Sequence, residues 1–135
     1  MTHESDPADD RYRQLFETAP DAMVIADARG QIQFVNLQTE KVFGYARAEL
    51  VGKPIEILIP DRFRASHVGH RTRFVSAPTF RPMGSQLQLY GRRKDGSEIA
   101  IEVSLSPLTT PTGTVVSAAI RDITERRRLE TAGKL

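Results

Sequence analysis

The sequence predicts an α+β domain: a five-stranded antiparallel sheet with short helices on one face, an amphipathic helix before it and a further helix after it. Three observations carry this. Five β-forming runs are split two and three around a helical middle. Within each group, adjacent runs are joined by a turn rich in Gly, Asp or Pro, the punctuation of hairpins. In the longest run, Ile99, Ile101, Val103 and Leu105 alternate with Ala100, Glu102, Ser104 and Ser106, the mark of a sheet with one apolar and one more polar face.

In chain order, residues 1–9 are acidic and polar and read as a flexible N-terminus. Tyr12, Leu15, Phe16 and Ala19 then fall at i, i+3, i+4 and i+7, one face of a helix over Asp10 to Ala19 that Pro20 ends. Strands over Ala22 to Ala28 and Gln31 to Val35 flank a turn in which Gly30 can take positive φ. Short helices follow over Leu37 to Phe43, Arg47 to Leu50 and Ile55 to Ile59. Asn36 is placed to cap the first, and Gly44 and Gly52 mark the joints. Phe43, Tyr45 and Met23 read as core. Asp61 is placed to cap a basic helix carrying Phe63, Arg64, His67, His70, Arg71 and Phe74 before Pro78. The remaining strands run over Ser85 to Arg93, Glu98 to Leu108 and Thr114 to Asp122, with turns at Lys94-Asp95-Gly96 and Pro111-Thr112-Gly113. Residues 125–135 begin an exit helix or linker, with too few apolar positions for a heptad repeat.

Composition bounds the function. With 135 residues, 39% of them hydrophobic, the chain can bury a single core. It has no cysteine, which removes disulfides, thiol nucleophiles and thiolate metal sites. No run approaches the roughly 18 apolar residues of a membrane span, and no signal peptide precedes the fold; the expectation is a cytoplasmic protein without direct membrane insertion. A net charge of +2 is gathered at Arg62 to Arg73, Arg92 to Lys94 and Arg126 to Arg128. These runs read as solvated faces with acidic neighbours rather than a nucleic-acid footprint. No phosphate-cradling loop, nucleophile elbow or paired carboxylates appear, so the expectation is a regulatory domain and not an enzyme.

Six pieces, taken together and in this order, resemble a bacterial PAS sensor domain over roughly Asp10 to Glu130. They are Glu17-Thr18-Ala19-Pro20-Asp21-Ala22, Phe34-Val35-Asn36, Phe43-Gly44-Tyr45, Glu49-Leu50-Val51-Gly52-Lys53-Pro54, Arg93-Lys94-Asp95-Gly96 and Arg121-Asp122-Ile123-Thr124-Glu125-Arg126. The resemblance implies a PAS domain over 10–124. It also implies a homodimer in which Tyr12, Leu15 and Phe16 of the first helix make contact. A signalling joint at Arg121, Asp122, Thr124 and Glu125 would lead into an output domain such as a histidine kinase.

The pattern is closest to haem-sensor PAS domains. The Arg64-Ala65-Ser66-His67 helix resembles the one that supplies the proximal iron ligand there, so the cofactor implied is haem b on His67. Leu87, Leu89, Ile101 and Val103 would form an apolar wall, with Arg71 or Arg73 on a propionate. The sequence departs from the oxygen sensors in carrying Leu87 where they place an arginine. Met83 resembles the distal ligand of a second haem subgroup when two residues are gapped. Without cysteine the flavin adduct of light sensors is excluded; a non-covalent flavin is open, without the tryptophan that commonly stacks on it. His67 and His70 also fit a polar helix face carrying no ligand, and as a zinc pair they lack a third ligand. The alternative function is a ligand-free dimerisation and protein-interaction module.

Overall fold

The computed structural model describes residues 7–64 and 89–133. The order is α1 (Pro7–Glu17), β1 (Ala22–Asp27), β2 (Ile32–Val35), α2 (Leu37–Phe43), α3 (Arg47–Leu50) and two 3-10 turns, Ile55–Leu58 and Asp61–Phe63. After these come β3 (Leu89–Arg92), β4 (Glu98–Thr110), β5 (Gly113–Asp122) and α4 (Thr124–Gly133). All strand pairs are antiparallel and the sheet order is β2-β1-β5-β4-β3. The first and last strands of the chain's β regions, β1 and β5, thus lie side by side at the centre.

The turns are fixed locally. At the β1–β2 turn, Asp27 Oδ1 accepts the N–H groups of Arg29 and Gln31, each at 2.9 Å, and Gly30 takes φ 83°, where a Cβ would be strained. Gly44 closes α2 at φ 79° while its N–H donates to Glu40 O, a left-handed C-terminal stop.

The core lies between the sheet and α2, α3 and the Ile55–Leu58 turn. Val24, Ile32, Val35, Ile99, Ile101 and Ile120 project inward from the strands to meet Phe43, Leu50 and Leu58, all buried. β3 comes so close to α2 that a Cβ on Gly91 would lie 2.8 Å from Phe43 Cε1. Glycine is needed there for space.

Several expectations are revised. α1 starts at Pro7 instead of Asp10 and ends at Glu17, taking in part of the segment read as flexible; proline is tolerated in a first helical turn because its missing N–H has no partner there anyway. Asp61 itself opens a 3-10 turn preceded by Pro60, and its carboxylate faces Arg64 at 2.6 Å and Arg92 at 3.6 Å; the helix it was expected to cap lies outside the described residues. Met23 is half-buried and on the outward side of β1, opposite Ala119, while Ala22 and Val24 fill the core. Ala100 lies in the outward-facing set of β4 yet is 8% exposed, because α4 packs back against β4. β4 and β5 run to the Pro111–Thr112 turn itself, longer than the expected strands. The expected strand Ser85 to Arg93 is seen from Leu89 to Arg92; its first residues, and the basic helix beyond Arg64, lie outside the described residues.

Candidate functional site

Of the residues expected to hold a cofactor, His67, Met83 and Leu87 lie outside the described residues, as do His70, Arg71 and Arg73. The other three are on the described sheet. Ile101 is buried and Val103 half-buried on the inner face of β4, both with the core. Leu89 pairs in register with Ile101 and is 39% exposed. Among the described residues no buried side-chain N or O atom lacks a hydrogen-bond partner, and no group of three metal-ligating side chains occurs. This stretch of wall is apolar and suits the hydrocarbon of a macrocycle.

The best-defined polar construction is at Asn36, wholly buried between β2 and α2. Its Oδ1 accepts three bonds: Thr39 N–H at 3.1 Å as the helix cap, Thr39 Oγ1 at 2.8 Å and Met23 N–H at 2.8 Å. Its Nδ2 donates to the carbonyls of Phe16 at 2.9 Å and Asp21 at 3.0 Å. One side chain therefore joins the end of α1, the start of β1 and the start of α2. The single hydroxyl proton of Thr39 is shared between Asn36 Oδ1 and Met23 O, the latter at 2.9 Å. Sequence reading found the cap and missed the other four bonds, three of which span 13, 15 and 20 residues.

α1 is held at its C-terminal end. Arg47 Nη2 donates to both Glu17 oxygens at 2.8 Å and lies 3.7 Å from Glu40, whose other oxygen accepts the Arg47 N–H. The rest of the helix projects outward: Tyr12 is 71% and Leu15 62% exposed, with Phe16 half-buried. The outward-facing pair Ile25 and Phe34 lies on the β1–β2 side of the sheet, with Phe34 60% exposed.

At the opposite end of the chain, Asp122 Oδ1 accepts the Thr124 N–H at 2.9 Å and so caps α4. The Ala100 N–H donates to Thr124 Oγ1 at 3.2 Å, and the Ile123 N–H to Ala100 O at 2.9 Å. Ile123 is buried. Arg121 pairs with Asp21 at 3.3 Å, which ties the end of β5 to the start of β1. Glu125 pairs with Arg128 within α4, and Arg126 with Glu102. The four joint residues are close together, but only Asp122 and Thr124 bind one another.

Several of the described basic residues are paired with carboxylates, including Arg62 with Glu98 and Lys94 with Glu49. The hydrogen bond from Lys94 and the Ala46 N–H hold Glu49 below the usual carboxylate range. Arg62 does the same for Glu98, and the Ser97 hydroxyl and N–H for Asp95. Arg93 was unremarkable as part of a charged turn. In the structure its Nε donates to Val42 O at 3.0 Å and its Nη2 faces Asp122 Oδ2 at 3.6 Å. Only the folding of β3 beside α2 could reveal that pairing.

Comparison with known proteins agrees with this architecture. A family model described as the PAS fold matches residues 10–123. The chain is 26% identical over 118 residues, 87% of its length and 23% of the relative's, to the Sensor protein FixL of Bradyrhizobium diazoefficiens. It is 27% identical to the Oxygen sensor protein DosP of Escherichia coli over 90% of this chain and 15% of that one. To the Cell-division control histidine kinase PdhS of Brucella ovis it is 24% identical, over 90% of this chain and 12% of that one. The chain thus spans less than a quarter of these relatives. Among solved structures, the PAS domain of an HTR-like protein from Haloarcula marismortui superposes with a TM-score of 0.71 at 28% identity, covering 86% of this chain and 92% of that one.

Proposed function

We propose, from the premise that this chain belongs to the PAS family, that it is the sensory module of a larger cytoplasmic signalling protein, regulating an output domain that follows α4. The observation that carries this is the construction at the end of β5. The sheet that backs the interior continues through Asp122 and Thr124 into a capped helix, so a change in the sheet has a direct structural route out of the domain. A histidine kinase is the output favoured, since a relative over this same region bears that name. The domain's own role is regulatory, and residues 10–124 form the sensing unit. Among the described residues no helix is long and apolar enough to cross a membrane.

The ligand favoured is haem b. Its support is the resemblance of the Arg64 to His67 segment to haem-binding sensors, the apolar wall at Ile101 and Val103, and a relative named as an oxygen sensor. His67 would hold the iron, Met83 or a diatomic gas would be its second ligand, and Leu87 and Leu89 would extend the wall. When bound, the iron supplies reversible ligand or redox chemistry. The protein's part is to surround it with apolar side chains and to let the sheet respond. Switching requires that occupancy favour one state of the sheet over the other. The test is an absorption spectrum after incubation with haemin, wild type beside His67→Ala. A sharp Soret band that the variant loses supports haem; equal spectra in both proteins overturn it.

The second reading, a ligand-free dimerisation and interaction module, is favoured by one feature: the outward apolar stripe of α1 at Tyr12 and Leu15. The same stripe would serve as the homodimer contact of a sensor, with Phe16 at its inner edge.

A further inference from the structure

Two routes lead from α2, which lines the interior, to the first turn of α4. One runs through the sheet. The Phe43 ring lies against Gly91 of β3, Gly91 pairs with Ile99 of β4, and the neighbouring Ala100 binds Ile123 and Thr124. The other runs through one guanidinium. Arg93 Nε donates to the carbonyl of Val42, in the last turn of α2, at 3.0 Å. Arg93 Nη2 faces Asp122 Oδ2 at 3.6 Å, and the other oxygen of that carboxylate accepts the Thr124 N–H that opens α4.

The second route is short and directional. A planar guanidinium offers donors in a fixed fork, so a shift of the α2 carbonyl turns the whole group and with it the nitrogen facing Asp122. The backbone on either side of Arg93 is tied to the β3–β4 turn and to the end of α2. The Arg93 N–H donates to Ser97 O, Gly96 donates to Arg93 O, and Lys94 N–H donates to Phe43 O, each at 2.9 Å. Lys94 is also pinned to Glu49 of α3 at 2.6 Å. The fork therefore has a root tied to the turn and to α2, and two ends, one on each of the elements it joins.

We propose that Arg93 is the positioning residue through which a displacement of α2 reaches the cap of the exit helix. The coupling is carried by its contacts to Val42 O and Asp122, in preference to the sheet. The inference rests on reading the domain as a signalling module, yet it needs no ligand for its test, so a failure to bind haemin would leave the test unaffected.

The experiment is a double-mutant cycle read by amide hydrogen exchange. Phe43→Leu displaces the end of α2 from within the core. Amides of β1 and β5 report global stability and normalise the rest. In the wild-type background, Phe43→Leu should raise exchange of the Thr124 amide by at least about twofold beyond that control, the low end of coupling within one hydrogen-bonded network. In the Arg93→Gln background the excess should vanish. Arg93→Lys keeps a cation near Asp122 but, with a single ammonium, cannot hold both ends, and should also uncouple; it serves if the glutamine variant does not fold. An excess at Thr124 that persists undiminished in either background would overturn the proposal and assign the coupling to the sheet.

Discussion

Replacing Asn36 with alanine should be the most costly single polar deletion among the described residues. The side chain is wholly buried and makes five hydrogen bonds. Loss of the helix cap alone costs about 1 kcal/mol. The Met23 N–H and the carbonyls of Phe16 and Asp21 lose this partner as well, at about 1 kcal/mol each where water cannot reach them. Thr39 keeps its bond to Met23 O, so its hydroxyl adds little. The total is about 3–4 kcal/mol, a large part of the 5–15 kcal/mol typical of a domain. With a urea slope of about 1.5 kcal/mol/M, the unfolding midpoint should fall by about 2 M. Asn36→Asp retains the acceptor side and the cap but loses both donor bonds, and sets a charge beside two carbonyl oxygens. It too should destabilise, with exchange rising first at residues 16–21. A loss below about 1 kcal/mol for the alanine variant, with an unchanged slope, would refute the account of Asn36 as the tie between α1, β1 and α2.

Other outcomes follow from the same geometry. Gly91→Ala should cost about 1–3 kcal/mol by chemical denaturation, since the added methyl meets the Phe43 ring in a filled core; Phe43→Leu should recover part of that loss when the two are combined. Leu15→Asp or Phe16→Asp should convert a dimer to a monomer in sedimentation without lowering the melting temperature of the monomer, and an unchanged association state would argue against α1 as the contact. The carboxylates of Glu49, Asp95 and Glu98 are held below their ordinary values by Lys94, Ser97 and Arg62. The fold therefore favours their anions: the contribution to stability is complete above the ordinary values, about 3.9 for Asp and 4.3 for Glu, and is lost as pH falls through each lowered value. A side-chain NMR titration should show Glu49 returning toward its ordinary value in Lys94→Ala while Asp95 stays low.

The sequence by itself determined what local rules control. Turn chemistry at Asp27 to Gly30 and at Lys94 to Gly96 and the Asn36 cap each depend on residues a few positions apart, and each is found where backbone preference places it. Only the tertiary structure decided which long-range partner each polar group takes. The Asp61 carboxylate faces Arg64 and, across to β3, Arg92, a partner thirty-one residues on that no local rule supplies. Met23 reads as core from its composition, yet the pairing of β1 with β5 turned it outward; a strand has only two faces, and Ala22 and Val24 occupied the inner one. Ala100 was buried by a helix that follows it by more than twenty residues. The Arg93 fork arises because β3 folds alongside α2, fifty-one residues earlier in the chain. Chain neighbours fix the backbone through short-range sterics and hydrogen bonds, but the partners of a side chain are set by register and packing that exist only once the sheet has formed.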